Sequence, residues 1–125
     1  MTTQEPEEIR GLIARIAPGW SPTIDVGTGW YPLLAQLDRR LAAIAPRYII
    51  HQVKSKFGAL SFYAQPSDDP YHYDDAFRDA ITAAEWESTR TCEECAAPAR
   101  TYTIGMWVWT LCEVHASAKR GSDPN

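Results

Sequence analysis

All three cysteines of this 125-residue chain fall in one pattern. Cys92 and Cys95 flank Glu93-Glu94. Sixteen residues later, Cys112-Glu113-Val114-His115 repeats the two-residue gap with a histidine in the last place. Thiolate and imidazole are good zinc ligands, and a two-residue gap lets two of them converge on one tetrahedral ion. The spacing therefore predicts one Zn2+ per chain, held by Cys92, Cys95, Cys112 and His115. Four protein ligands fill the tetrahedron and leave no open position for a reactive water, so the expected role of the ion is structural. A thioredoxin-like redox pair is the rival reading. It wants its CxxC between a strand and a helix, and it leaves Cys112 and His115 without a task.

No other motif points to catalysis. The chain has no Gly-x-Ser-x-Gly elbow, no phosphate-cradling loop and no His-Glu-x-x-His pair, and Gly27-Thr28-Gly29 is too short for a nucleotide fingerprint. The expectation is a protein without a catalytic residue set. Two charged groupings remain. Arg39, Arg40, Arg47, Lys54 and Lys56 follow one another with no acid between them. With Tyr48 or Tyr63 exposed beside them, they form a candidate nucleic-acid surface. Lysines on an edge strand also serve simply to block sheet-to-sheet aggregation. Asp68, Asp69, Tyr71, Tyr73, Asp74 and Asp75 form an acidic, aromatic loop, a candidate surface for a basic protein partner. The plainer role for this loop is solvation, with Asp74 capping the helix that follows. His72 lies among the aspartates with nothing to fix a second metal site. His51 reads as a core histidine on an apolar strand face.

The elements that must position these residues are legible from periodicity. Ile9, Leu12, Ile13 and Ile16 give one apolar face to a helix over residues 6–17, stopped by Pro18-Gly19. A second helix over 30–45 carries Trp30, Leu33, Leu34, Leu37, Leu41 and Ile44 on one stripe, with Thr28 as N-cap and Pro46 as stop. From Tyr48 the period becomes two, and 48–57 with 59–64 predict a hairpin turning at Gly58. Strict alternation places Ile49, His51, Val53 and Ser55 on one face and Ile50, Gln52, Lys54 and Lys56 on the other. Gly58 is read as a turn residue only. A third helix over 74–89 turns Phe77, Ile81, Ala84 and Trp86 inward. Tyr102 and Ile104, then Trp107, Trp109 and Leu111, alternate about Gly105 as a second hairpin that returns Cys112 to Cys95. A helix opening at Cys112 sets His115 on the same face. Trp107 and Trp109 supply the cover a small metal module needs, and residues 119–125 read as a frayed tail.

The sum is one α+β domain over 1–125: N-terminal helices, an antiparallel β-hairpin, a third helix and a C-terminal zinc module at 91–118. Knuckle, hairpin and ligands in a first helical turn resemble a treble-clef zinc finger. The block Gln52-Val53-Lys54-Ser55-Lys56-Phe57-Gly58-Ala59-Leu60-Ser61-Phe62-Tyr63, then Ala84-Glu85, Ser88, Thr91-Cys92-Glu93-Glu94-Cys95, Thr110-Leu111-Cys112 and His115, resembles a group of small uncharacterised bacterial and phage proteins. These carry a similar QVKxKFGxLxFY block before a CxxC…CxxH finger. The resemblance covers about residues 29–116 and implies a bacterial or phage source without an established activity. Ala96 departs from the pattern, since such knuckles usually have Gly after the second Cys. A left-handed alanine costs on the order of 1 kcal/mol.

A formal charge of -4 is the wrong sign for a dedicated nucleic-acid binder. No apolar run approaches the ~18 residues of a membrane span, the start lacks a signal-peptide layout, and three cysteines cannot all pair. The expectation is a cytoplasmic, zinc-stabilised protein with no membrane contact. Its leading function is protein–protein interaction, as a phage or mobile-element accessory factor that modulates a host protein. Nucleic-acid association through the basic hairpin is the alternative.

Overall fold

A computed structural model describes residues 7–122 of the chain. Residue 6 of the first expected helix and residues 123–125 of the expected tail lie outside them. Among the described residues the architecture is α+β, with four α-helices, a three-stranded sheet ordered β1-β2-β3 and a separate two-stranded sheet, β4-β5.

Helix α1 (Glu7–Ala14) buries Ile9 and Leu12 and carries Glu7 and Glu8 in its first turn, where they complement the helix dipole. It ends before residue 17 because the sheet takes over its backbone. Ile50 N donates to Arg15 O (2.9 Å), and Ala17 N donates to Ile50 O (2.8 Å). Strand β1 (Ile24–Asp25) lies between the first two helices, where the sequence pattern shows no strand, and pairs in parallel with β2. A 3-10 turn over Thr28–Trp30 leads into α2 (Tyr31–Ile44), so Thr28 is not its N-cap. Pro32 in the first turn needs no amide donor there. Leu33, Leu34, Leu37 and Leu41 are buried as the stripe predicts, whereas Ile44, at the helix end, is exposed.

Of the two tyrosines offered to the nucleic-acid surface, Tyr63 is exposed and Tyr48 is buried. Its hydroxyl donates to Asp38 Oδ1, which also meets Arg15 Nε at 3.1 Å, and the Arg15 guanidinium lies 4.0 Å over the Tyr48 ring. Burial, then the hydrogen bond to Asp38, pushes the Tyr48 phenol far above its ordinary pKa. Strands β2 (Ile49–Lys56) and β3 (Ala59–Gln65) form the expected hairpin, but with a bulge. Register passes from Ile50↔Ala64 to Gln52↔Tyr63, leaving His51 without a cross-strand partner. The extra residue switches faces, so Ile50 and Val53 are both buried, and the strict alternation expected for β2 does not hold. His51 is only half-buried, packed at a tilt against Trp20 with ring centroids 5.3 Å apart.

Asp74 caps α3 (Asp75–Ser88), its carboxylate accepting from Phe77 N at 2.9 Å. The helix buries Phe77, Ala80, Ile81 and Ala84; Trp86, expected inward, is 65% exposed. Two side chains of α3 satisfy the outer edge of β3: Ser88 Oγ accepts from Leu60 N (2.9 Å) and Glu85 Oε2 from Phe62 N (3.0 Å). An edge closed in this way cannot recruit another strand.

The β2–β3 turn holds both Phe57 (φ 55) and Gly58 (φ 78) in the left-handed region, as a two-residue primed turn requires. For Phe57 this conformation is strained, and its side chain is 78% exposed. Phe57→Asn should therefore raise stability by about 1 kcal/mol, measured by urea denaturation of metal-loaded protein. An unchanged or lower midpoint would show that the Phe57 ring contributes to the fold.

Candidate metal centre

Cys92-Glu93-Glu94-Cys95 forms a tight knuckle. Ala96 N donates to Cys92 O (3.0 Å), and Glu94 N points at Cys92 Sγ (3.5 Å). The turn finishes with Ala96 at φ 70, the left-handed position that such knuckles usually give to glycine. Strands β4 (Arg100–Ile104) and β5 (Trp107–Leu111) form the second hairpin, turning through Gly105-Met106, and return the chain to the knuckle. Helix α4 (Glu113–Ser122) begins there. Ala116 N bonds Cys112 O (2.9 Å), and one turn brings His115 beside Cys112.

Ligand atoms from all four residues lie within 4.8 Å of one another. Cys95 Sγ is 3.8 Å from Cys112 Sγ, and His115 Nδ1 is 3.7 Å from Cys92 Sγ and 3.2 Å from Cys112 Sγ. Zinc bond lengths in a tetrahedron demand sulfur–sulfur edges of about 3.8 Å and sulfur–nitrogen edges of about 3.6 Å. The group fits a tetrahedral ion, with His115 facing it through Nδ1. The chemistry of the donors agrees. The His115 amide, aided by its ring, pulls the Cys112 thiol down to about 7, and the neighbouring Cys112 and Cys92 sulfurs push the imidazole up. Cys112 is thus shifted toward the thiolate, but the Cys95 thiol is not. Despite the Ala97 amide, burial and the neighbouring Cys92 and Cys112 sulfurs push it up. The imidazole must also give up its proton to ligate, so binding an ion releases protons.

Glu93, to which the sequence pattern assigns no role, joins the metal module to the body. It is 4% exposed. Its Oε2 accepts from Thr110 N (2.7 Å), Oε1 lies 3.5 Å from Ser55 Oγ, and its backbone bonds Thr110 O and Gly29 N. Burial raises the pKa of this carboxyl. Around it the body meets the module by backbone. Trp30 Nε1 donates to Thr91 O (2.8 Å), and Thr110 Oγ1 donates to Gly58 O. A Cβ at Gly29 would come 2.2 Å from Cys92 O, and one at Gly58 would come 3.0 Å from Val108 Cγ1. Both glycines are therefore contact points between body and module, and Gly58 is more than a turn residue.

Other expected positions fare unevenly. Trp109 is partly buried, with Lys119 Nζ 3.8 Å from its ring centroid, but Trp107 is 72% exposed and covers nothing. Lys119 and Arg120 are not tail. They occupy the last turn of α4 and lie over Trp109 and Tyr102. In the acidic loop Asp68, Asp69, Tyr71, Tyr73 and Asp75 are exposed, while Asp74 serves as the α3 cap and Asp69 accepts from Tyr71 N (2.9 Å). The five cations do not share one surface. Lys54 and Lys56 lie with Tyr63 on the sheet face turned from the core. Arg39 and Arg40 are exposed on α2, and Arg47 stands in the loop after it. Among the described residues no helix is long and apolar enough to cross a membrane. Compared with known proteins, the chain matches no family model, no curated protein and no solved structure.

Protein purified without chelator should carry about one divalent metal ion per chain by elemental analysis. Cys95→Ser should lose both the ion and the amide dispersion of residues 91–122, because a structural site contributes on the order of 10 kcal/mol to folding. A metal-free reduced protein with an ordered C-terminal region would contradict this.

Proposed function

We propose that this protein is a zinc-stabilised, non-enzymatic interaction protein that binds a protein partner. Zinc suits the site because three thiolates and an imidazole at tetrahedral spacing are its common structural set. Four protein ligands leave no position for a substrate or a water, so the ion holds the fold and the surface does the work.

One observation carries the reading. Phe57, Met106 and Trp107 are 78%, 94% and 72% exposed, and all three stand at one cleft, at the tips of two hairpins. Single exposed apolar residues are ordinary, but three large ones at the mouth of one depression, one of them held in a strained turn, suit an interface. The acidic loop, with Tyr71 92% exposed, offers a second contact for a basic partner surface. The resemblance to small bacterial and phage proteins makes an accessory factor that modulates a host protein the biological setting of this proposal.

The nucleic-acid reading rests on the exposed Tyr63 ring beside Lys54 and Lys56, which suits stacking on a base. It is second because Arg39, Arg40 and Arg47 lie elsewhere and Asp25 is paired in register with Lys54.

Affinity capture from bacterial lysate with tagged protein tests the two together. Met106→Ala/Trp107→Ala or Tyr71→Ala/Tyr73→Ala should reduce recovery of the captured protein at least tenfold, with zinc content and melting temperature nearly unchanged. Capture undiminished in both variants would refute the interaction reading. So would a salt-sensitive gel shift with DNA or RNA that disappears in Lys54→Glu/Lys56→Glu.

A further inference from the structure

Hairpin register decides which backbone groups of a strand face outward. In β4–β5 the two-residue turn makes Ile104↔Trp107 a hydrogen-bonded pair, so Thr103↔Val108 and Thr101↔Thr110 are the non-bonded pairs. Their N–H and C=O groups point away from the hairpin. Those of Thr110 are taken by Glu93. Those of Val108, nearer the tip on the same edge, meet no backbone partner among the described residues. The parallel register Ile24↔Val53 and Asp25↔Lys54 likewise turns the groups of Asp25 toward β2 and those of Ile24 outward.

A cleft of about 790 Å³ is lined by residues 24–27, 55–57 and 106–109, so the ends of both sheets contribute to it. Glu93 and Ser55 lie at its inner end, and Phe57, Met106 and Trp107 stand at its mouth. Its charged groups are the carboxylates of Asp25 and Glu93 and the ammonium of Lys56. The surface therefore asks for three things together: main-chain donors and acceptors, apolar side chains and one positive charge.

We propose that an extended segment of the protein partner, apolar with one basic side chain, enters this cleft as an added strand. It pairs with the backbone of Ile24 and Val108 and directs its basic group to Asp25 and Glu93. This deepens the interaction reading and rests on it. Strand addition takes affinity from main-chain bonds and specificity from alternate side chains. Phe57 and Trp107 would cover the apolar side chains at the mouth. The β3 edge, sealed by Ser88 and Glu85, offers no such place.

Zinc-loaded, nitrogen-15-labelled full chain is panned against displayed random decapeptides, and an acetylated peptide of the enriched sequence is titrated by NMR. Binding should shift the amides of Ile24 and Val108 and slow their hydrogen exchange. Affinity should fall at least tenfold when the peptide's basic residue becomes Glu, when alternate peptide amides are N-methylated, or when Trp107→Ala is introduced with zinc retained. The inference is overturned if panning enriches nothing, if the shifts map elsewhere, or if N-methylation has no effect, which would mark a pocket for side chains or small molecules. The same shifts on raising protein concentration without peptide would overturn it in favour of a second copy. If the peptide fails while a lysate protein is still captured through Trp107, strand insertion falls and the interaction reading stands.

Discussion

Four atoms that could hold one ion, from Cys92, Cys95, Cys112 and His115, come within 4.8 Å of one another at the centre of the C-terminal module. Its buried apolar cluster consists of Cys92, Ile104, Leu111 and Ala116, with Ala99, Tyr102, Trp109 and Cys112 partly covered. A core of that size does not offset the backbone entropy of a knuckle, a hairpin and a helix. Convergence of Cys92, Cys95, Cys112 and His115 ties those three pieces together at a single point. The cation–π contacts of Lys119 and Arg120 then lay α4 over the hairpin.

The body depends on the same point in a different way. Its own core, around Trp30, the α2 leucines, Ile50, Val53, Phe62 and Phe77, is large enough to support helices packed on a sheet. What joins it to the module is mostly polar and mostly backbone: Gly29 and Trp30 against the knuckle, Gly58 against Thr110, and the buried Glu93 carboxylate between Ser55 and β5. Bonds of this kind need exact positions, and the knuckle has those only when its turn is fixed. The open cleft follows from the arrangement. Residues 27–29 leave β1 to reach the knuckle, so the two sheets approach without merging and their facing edges stay unpaired.

The metal ligands were legible because spacing alone encodes them. The helices were legible because an apolar stripe every three to four residues has few other uses, and Asp74 because a cap has a fixed place relative to its helix. The left-handed turn at Ala96 was legible from the position it fills. Other features depend on contacts between residues distant in sequence. The bulge at His51 inverts half of β2 without any local signal. Strand β1 is two residues long and has no period to read. Trp107 alternates in sequence like its neighbour Trp109, yet it sits at the hairpin tip, beyond the reach of α4. Tyr48 looked like a surface aromatic until Asp38 and Arg15 supplied its partners. Glu93 gave no signal, since an acidic residue inside a CxxC knuckle is ordinarily solvated.

The central claim is a closed, structural tetrahedron that leaves binding to the surface. X-ray absorption at the zinc edge of the native protein tests it directly. The geometry requires three sulfurs at about 2.3 Å and one imidazole nitrogen at about 2.0–2.1 Å, with no oxygen ligand. A spectrum with two sulfurs, or with a water oxygen in the inner shell, would contradict the account, because it would mean an open metal position and a chemistry beyond holding the fold.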